Sequence, residues 1–144
     1  MQIDKKRIEK YLRQIKKEYD EISEILQQSD QSILESSLHL RSLKYSLIVI
    51  NEAIANVLQH ILAKKFKIAI SGYTEIFKKA KAKSIISEGL IKKLKPFIDF
   101  RNMLIHQYWV IEDKTMLKNL RDGLDDFKLF VKEIKNLIDK ENGK

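Results

Sequence analysis

One proline and four glycines in 144 residues leave this chain very few places to interrupt a helix. Its apolar residues recur at three- and four-residue steps over long stretches instead of alternating, which is the signature of amphipathic helices and not of strands. Ile8, Tyr11, Leu12, Ile15, Tyr19, Ile22 and Leu26 form one stripe, with lysines and glutamates on the other faces. Ser29 or Asp30 breaks that pattern and is suited to cap the next helix. Over about residues 32–65 the register passes through Leu40, Leu43, Leu47, Ile50, Ile54, Val57, Leu58 and Ile61, so this is one very long helix or two with a bend. Residues 68–72 read as a connection, and residues 73–82 as a brief helix ending in a lysine-rich turn. Ser87 is placed to cap a further helix with Leu90, Leu94, Ile98, Arg101, Ile105 and Tyr108 on one stripe, and Pro96, which lacks a backbone donor, is expected to bend it. A last helix, about residues 114–139, carries Leu117, Leu120, Leu124, Phe127, Val131, Ile134 and Ile138. The expectation is an all-α antiparallel bundle of four long helices plus a short one, a single domain over residues 1–144 with no repeat and no linker.

Charge becomes informative once it is located. Between Lys64 and Lys95 stand ten lysines against two acids, Glu75 and Glu88, which equals the whole formal excess of +8. Such a segment suits phosphates, because lysines near a nucleic-acid backbone gain affinity by releasing condensed counterions. A solvated lysine-rich face accounts for it equally well, and the aromatic residues there that would stack on bases are few: Phe66, Tyr73 and Phe77. Within the segment Lys92, Lys93 and Lys95, just ahead of Arg101, are the candidate RNA contacts. The sequence has no cysteine, which excludes a disulfide framework, a thiolate metal site and a cysteine nucleophile. The charged N-terminus is followed by no apolar stretch with a small-residue cleavage site, and the most apolar run, Leu47 to Ile50, stops at Asn51. A cytoplasmic protein without membrane attachment is expected.

Few side chains remain that can do chemistry. Of the three histidines, His39 reads as a surface residue near Arg41. His60 follows Glu52 and Asn56 at four-residue steps, a column that resembles one side of a metal site but lacks a facing partner motif, so no metal is expected. His106 is different, because it lies in Phe100-Arg101-Asn102-Met103-Leu104-Ile105-His106-Gln107-Tyr108, where an arginine, an imidazole and a phenol interrupt an apolar helix. On a straight helix Asn102 and His106 share a face, whereas Arg101 and His106 are about 140° apart. Either the helix ends near His106, or the arginine reaches round it, or a second subunit places its own copy opposite, as a two-fold dimer would. Such a site suits attack of an RNA 2′-hydroxyl on the adjacent phosphodiester: His106 as acid or base, Arg101 on the phosphate, Asn102 and Tyr108 in support. The plain structural alternative is that Arg101 pairs with Asp99 or a helix C-terminus and His106 is a satisfied interface histidine.

Arg101 to Tyr108 resembles the Arg-x4-His-x-Tyr motif of the HEPN superfamily in its HepT-like branch. The surroundings are similar too. Leu94-Lys95-Pro96-Phe97-Ile98-Asp99-Phe100 precedes the motif and the acidic turn Ile111-Glu112-Asp113 follows it, while Ile50-Asn51-Glu52-Ala53-Ile54-Ala55 and Tyr73-Thr74-Glu75-Ile76-Phe77 resemble upstream helices of the family. The resemblance implies a homodimeric, metal-independent endoribonuclease toxin with Arg101 and His106 as catalytic residues and no cofactor. It also implies silencing by a nucleotidyltransferase-fold antitoxin that transfers AMP to Tyr108. HEPN-like bundles also resemble non-catalytic subunits that dock or present a substrate to a nucleotidyltransferase, which is the competing expectation. Pro96 and Asp99 depart from the family pattern, and Asp99 stands where it would compete with RNA for Arg101.

Overall fold

The computed structural model describes residues 2–107 and 112–142. They form seven helices and, among the described residues, no strand: α1 (Lys5–Ile25), α2 (Asp30–Leu34), α3 (Ser37–Phe66), α4 (Tyr73–Ala82), α5 (Glu88–Gln107), α6 (Asp113–Gly123) and α7 (Asp126–Asn142). The four long helices close a ring in which α1 packs on α3, α3 on α5, α5 on α7 and α7 on α1. α1 and α3 run antiparallel, as two cross-links show: the Asp4 N–H donates to His60 Nε2 at 2.9 Å, and the Ser46 hydroxyl donates to Glu18 Oε1 at 2.8 Å.

The helix starts follow from local chemistry. Asp4, Ser29 and Ser36 accept N–H bonds from Arg7, Ser32 and His39 and so satisfy first-turn donors of α1, α2 and α3. Ser87 does the same for Leu90 at the start of α5. α3 ends at Lys67, in the left-handed region with φ 57°, and the following Ile68 N–H returns to Leu62 O at 3.0 Å. That reversal sends residues 68–72 back along α3 toward the start of α4.

The expected stripes are the core. Ile8, Leu12, Ile15, Tyr19 and Ile22 of α1 are buried against Leu43, Leu47, Ile50, Ile54, Leu58 and Ile61 of α3, with Phe127, Phe130, Ile134 and Ile138 of α7 beside them. Each fully buried aliphatic side chain contributes roughly 1.5–3 kcal/mol. α3 is long and apolar enough to span a bilayer by length and composition, but 67% of its most apolar window is buried inside the bundle, so that hydropathy is core.

The stretch over residues 32–65 takes the two-helix form of its two expected alternatives, a short α2 followed by α3, separated at Glu35–Ser36. One boundary differs from the sequence reading. The last helix is two, α6 and α7, broken at residues 124–125 while the apolar register continues. Asp125 holds the turn: its backbone oxygen receives Leu129 N–H at 3.2 Å and its carboxylate receives the Tyr19 hydroxyl from α1 at 2.5 Å. Arg121 fixes α6 to the α1–α2 connection by donating to Asp30, to Leu26 O and to Gln28 O.

Candidate active site

The Arg101 side chain is positioned by three helices. α5 carries it toward α3, where Glu52 Oε1 accepts from Nε at 2.9 Å and from Nη2 at 2.6 Å. From the other side the guanidinium carbon lies 4.2 Å from the centroid of the Tyr73 ring at the start of α4. A guanidinium held between a carboxylate and an aromatic face has little freedom, since the ion pair fixes its edge and the cation–π contact fixes its plane. The Arg101 side chain is only 17% exposed, against 44% for Glu52, so the pair opens to solvent on the carboxylate side. Glu52 occupies two of the five N–H groups of Arg101, which leaves three to bind an anion.

Tyr73 is a second consequence of this packing. Its hydroxyl is buried with no hydrogen-bond partner among the described residues. Burial pushes its pKa far above the usual tyrosine value, with Arg101 opposing and Glu52 and Asp99 reinforcing, so the phenol stays protonated. The shelf that supports Arg101 is fixed further by Asn51, whose Nδ2 donates to Leu47 O at 3.0 Å within α3 and to Phe97 O at 3.2 Å across to α5.

The structure sorts the sequence candidates. Arg101 does not pair with Asp99; Asp99 accepts from Lys95 at 2.7 Å instead, one helical turn away on the exposed face of α5. The competition expected from Asp99 therefore comes from Glu52. Asn102 follows Arg101 and is half-buried. His106 lies on α5, five residues after Arg101, with its imidazole outside the described residues, as is Tyr108 altogether. Lys92 and Lys93 are exposed on α5; of the basic segment as a whole, Lys65 is paired with Glu141, Lys78 with Glu75 and Lys95 with Asp99.

The Glu52, Asn56, His60 column is divided between other tasks, Glu52 on Arg101 and His60 on the α1 N-terminus. Burial and the charge of Arg7 lower the His60 pKa, with Asp4 opposing, which favours the neutral ring that accepts from Asp4. His39 is half-buried, not a free surface residue, with Nε2 at 3.3 Å from Gln28 Nε2. Sequence reasoning singled out Glu52 and Tyr73 but not as the clamp on Arg101. The available signal was a lone acid inside the most apolar helix.

The profile of the family described as "Ribonuclease HepT-like" matches residues 15–134. No curated protein matches the chain. Among solved structures, the Bacillus subtilis cytosolic protein of unknown function YutE has a TM-score of 0.81 at 18% identity, covering 99% of this chain and 95% of its own. A tri-AMPylated Shewanella oneidensis HEPN toxin in complex with an MNT antitoxin has 0.81 at 20% identity, covering 90% and 97%. A toxin-antitoxin structure with AMP-PNP has 0.79 at 19% identity, covering 89% and 97%. At these identities the likeness establishes the fold.

Proposed function

The chain belongs to the HepT-like family, and on that premise we propose that it is a metal-independent endoribonuclease acting as the toxin of a toxin-antitoxin pair. The observation that carries the reading is the immobilised guanidinium: Arg101 is held by Glu52 and Tyr73 with three N–H groups to spare, at the first position of the motif that continues to His106 and Tyr108. A preorganised cation of this kind stabilises charge developing on phosphate oxygens without reorganising during the reaction.

In the proposed reaction the ribose 2′-oxygen attacks the neighbouring phosphorus. The 2′-O–P bond forms, the P–O5′ bond breaks, and the products are a 2′,3′-cyclic phosphate and a 5′-hydroxyl. His106 takes the proton from the 2′-hydroxyl or returns one to the leaving oxygen, a task suited to a group with an ordinary pKa near 6.5. Arg101 binds the non-bridging oxygens, Asn102 positions the phosphate, and Tyr108 donates a hydrogen bond. Lys92 and Lys93 attract the flanking backbone.

A homodimer completes the site in this reading. Leu38 and Tyr45 are 77% and 64% exposed, and with Glu52 they are spaced seven residues apart on one face of α3, an apolar stripe leading to the Arg101 clamp. Exposed large apolar side chains in line mark contact surfaces, and a two-fold contact there brings two Arg101 and His106 sets together. The antitoxin in this reading is a nucleotidyltransferase-fold protein that transfers AMP from ATP to the Tyr108 oxygen, releasing pyrophosphate. The adenylyl group then blocks the phosphate site by its volume and charge. The fold neighbours support this part, since one is an AMPylated toxin held by an MNT antitoxin. The cytoplasm is the compartment proposed, and the fold neighbour YutE is a cytosolic protein.

The occupation of Arg101 by a carboxylate favours one competing reading, a non-catalytic subunit that docks a substrate for a nucleotidyltransferase. Incubating total RNA with the purified protein in EDTA, beside a His106→Ala variant, separates the two. Wild-type cleavage leaving cyclic-phosphate ends, absent in the variant, is expected. Intact RNA in both samples, with an intact mass showing no added adenylyl group, overturns the nuclease reading in favour of docking.

A further inference from the structure

A groove of about 470 Å³ lies beside the Arg101 clamp, lined on α3 by Asn56, Gln59, His60 and Lys64, on α1 by Arg7 and Tyr11, and on the α3–α4 connection by Ser71. Its walls are pinned. His60 holds the start of α1 through the Asp4 N–H, and Gln59 holds the α3–α4 connection by donating to Ile70 O at 2.6 Å. Two chain segments lead from the groove toward the clamp. Asn56 is one helical turn beyond Glu52, and Ser71 is two residues before the Tyr73 ring that supports Arg101. From Glu52 to Lys64 the helix advances about 18 Å, long enough for several nucleotides.

The lining has the composition of a backbone-tracking channel. Arg7 is exposed and Lys64 half-buried, and neither has an ion pair among the described residues, whereas Lys65 beside them is neutralised by Glu141. Of the acids nearby, Asp4 caps α1 by accepting the Arg7 N–H and Glu52 is held on Arg101. Tyr11 offers a half-buried ring for stacking, and Asn56 an amide for a phosphate or a base edge.

We propose that this groove is an extended subsite for single-stranded RNA, in which Arg7 and Lys64 take two phosphates and Tyr11 stacks a base, carrying the strand along α3 away from Arg101. The proposal rests on the ribonuclease reading for the identity of the polymer, but its test reads binding and not cleavage. Uncleavable 2′-O-methyl oligouridylates of three and eight nucleotides are titrated against the wild type, an Arg7→Gln/Lys64→Gln double variant, and a Lys17→Gln/Lys132→Gln control that removes equal charge elsewhere. The wild type and the control should bind the octamer at least about tenfold more tightly than the trimer. The double variant should lose that gain, and the slope of log K against log salt should fall by about 1.4, the value for two contacts on a single strand. Equal loss in the control, an undiminished gain in the double variant, or no gain in the wild type overturns the subsite. If the double variant fails to fold by circular dichroism, Asn56→Glu takes its place and should make extension unfavourable. RNA binding with this length dependence but no cleavage defeats the nuclease reading alone; cleavage without the length dependence defeats the subsite alone.

Discussion

Glu52 Oε1 receives both the Nε and the Nη2 hydrogens of Arg101, joining the middle of α3 to the second half of α5. Both bonds fall on a single carboxylate oxygen, so the pair fixes where the guanidinium sits while leaving most of its donors unused. Glu52→Ala is expected to lower RNA cleavage about 10- to 100-fold by loosening that placement. Because the Glu52 side chain is 44% exposed and screened by solvent, the stability cost is expected to stay under about 1 kcal/mol. Rates on a short RNA, with urea unfolding on the same preparations, check both; an unchanged rate removes Glu52 from the positioning role.

Arg101→Lys separates charge from shape. A lysine keeps the positive charge but lacks the planar fork that meets Glu52 and stacks on Tyr73. Cleavage is expected to fall about 10²- to 10³-fold, the usual cost of removing one preorganised donor to a developing anion. Single-turnover rates at saturating enzyme report this directly, and a lysine variant with near-native turnover contradicts the role assigned to the fork.

His60 gives the fold a pH dependence. Its folded-state pKa is lowered by burial and by Arg7, so the unfolded chain binds its proton more readily than the folded one. Stability from this residue is therefore fully present above about pH 6.5, the unfolded value, and is lost as pH falls through the lower folded value. Melting temperatures of the wild type should decline between about pH 7 and 5 more steeply than those of His60→Gln, which has no such proton to gain. Parallel pH profiles would show that His60 is not the group responsible.

Gly123, at the end of α6, faces the Phe97 ring closely: an added Cβ would sit 3.2 Å from Phe97 Cε2 and 3.2 Å from Asp126 Oδ2. Phe97 is 2% exposed and packed at 4.7 Å against Phe127, so it has no room to withdraw. Overpacking costs about 1–3 kcal/mol and the gain in helix propensity about 1 kcal/mol, so Gly123→Ala is expected to destabilise by about 1 kcal/mol net. The midpoint of urea unfolding measures it, and a stabilised variant would show that Phe97 repacks.

The helices themselves were legible because their signal is local. Three- and four-residue spacing of Ile8, Leu12, Ile15 and Ile22 places those side chains on one face whatever the rest of the chain does, and all four are buried. The same logic failed at Gly123, where the apolar period of Leu120, Leu124 and Phe127 runs straight through a break in the helix. What holds that turn is the Tyr19 hydroxyl on Asp125, a contact from the far end of the chain that periodicity does not encode. His60 shows the same limit. Its spacing from Glu52 and Asn56 suggested a shared groove, and Asn56 and His60 do line one, but Glu52 turns to Arg101 and His60 Nε2 accepts from the start of α1.

By itself, then, the sequence determined an all-helical chain, the faces its helices bury, and the motif that runs from Arg101 through His106 to Tyr108, since periodicity and motif spacing are properties of neighbours along the chain. Only the tertiary structure decided that Arg101 meets Glu52 and Tyr73 and not Asp99, and that Arg7, Tyr11 and Lys64 share a groove beside it. Those partners are separated by tens of residues, and their meeting depends on how α1, α3, α4 and α5 pack around one core.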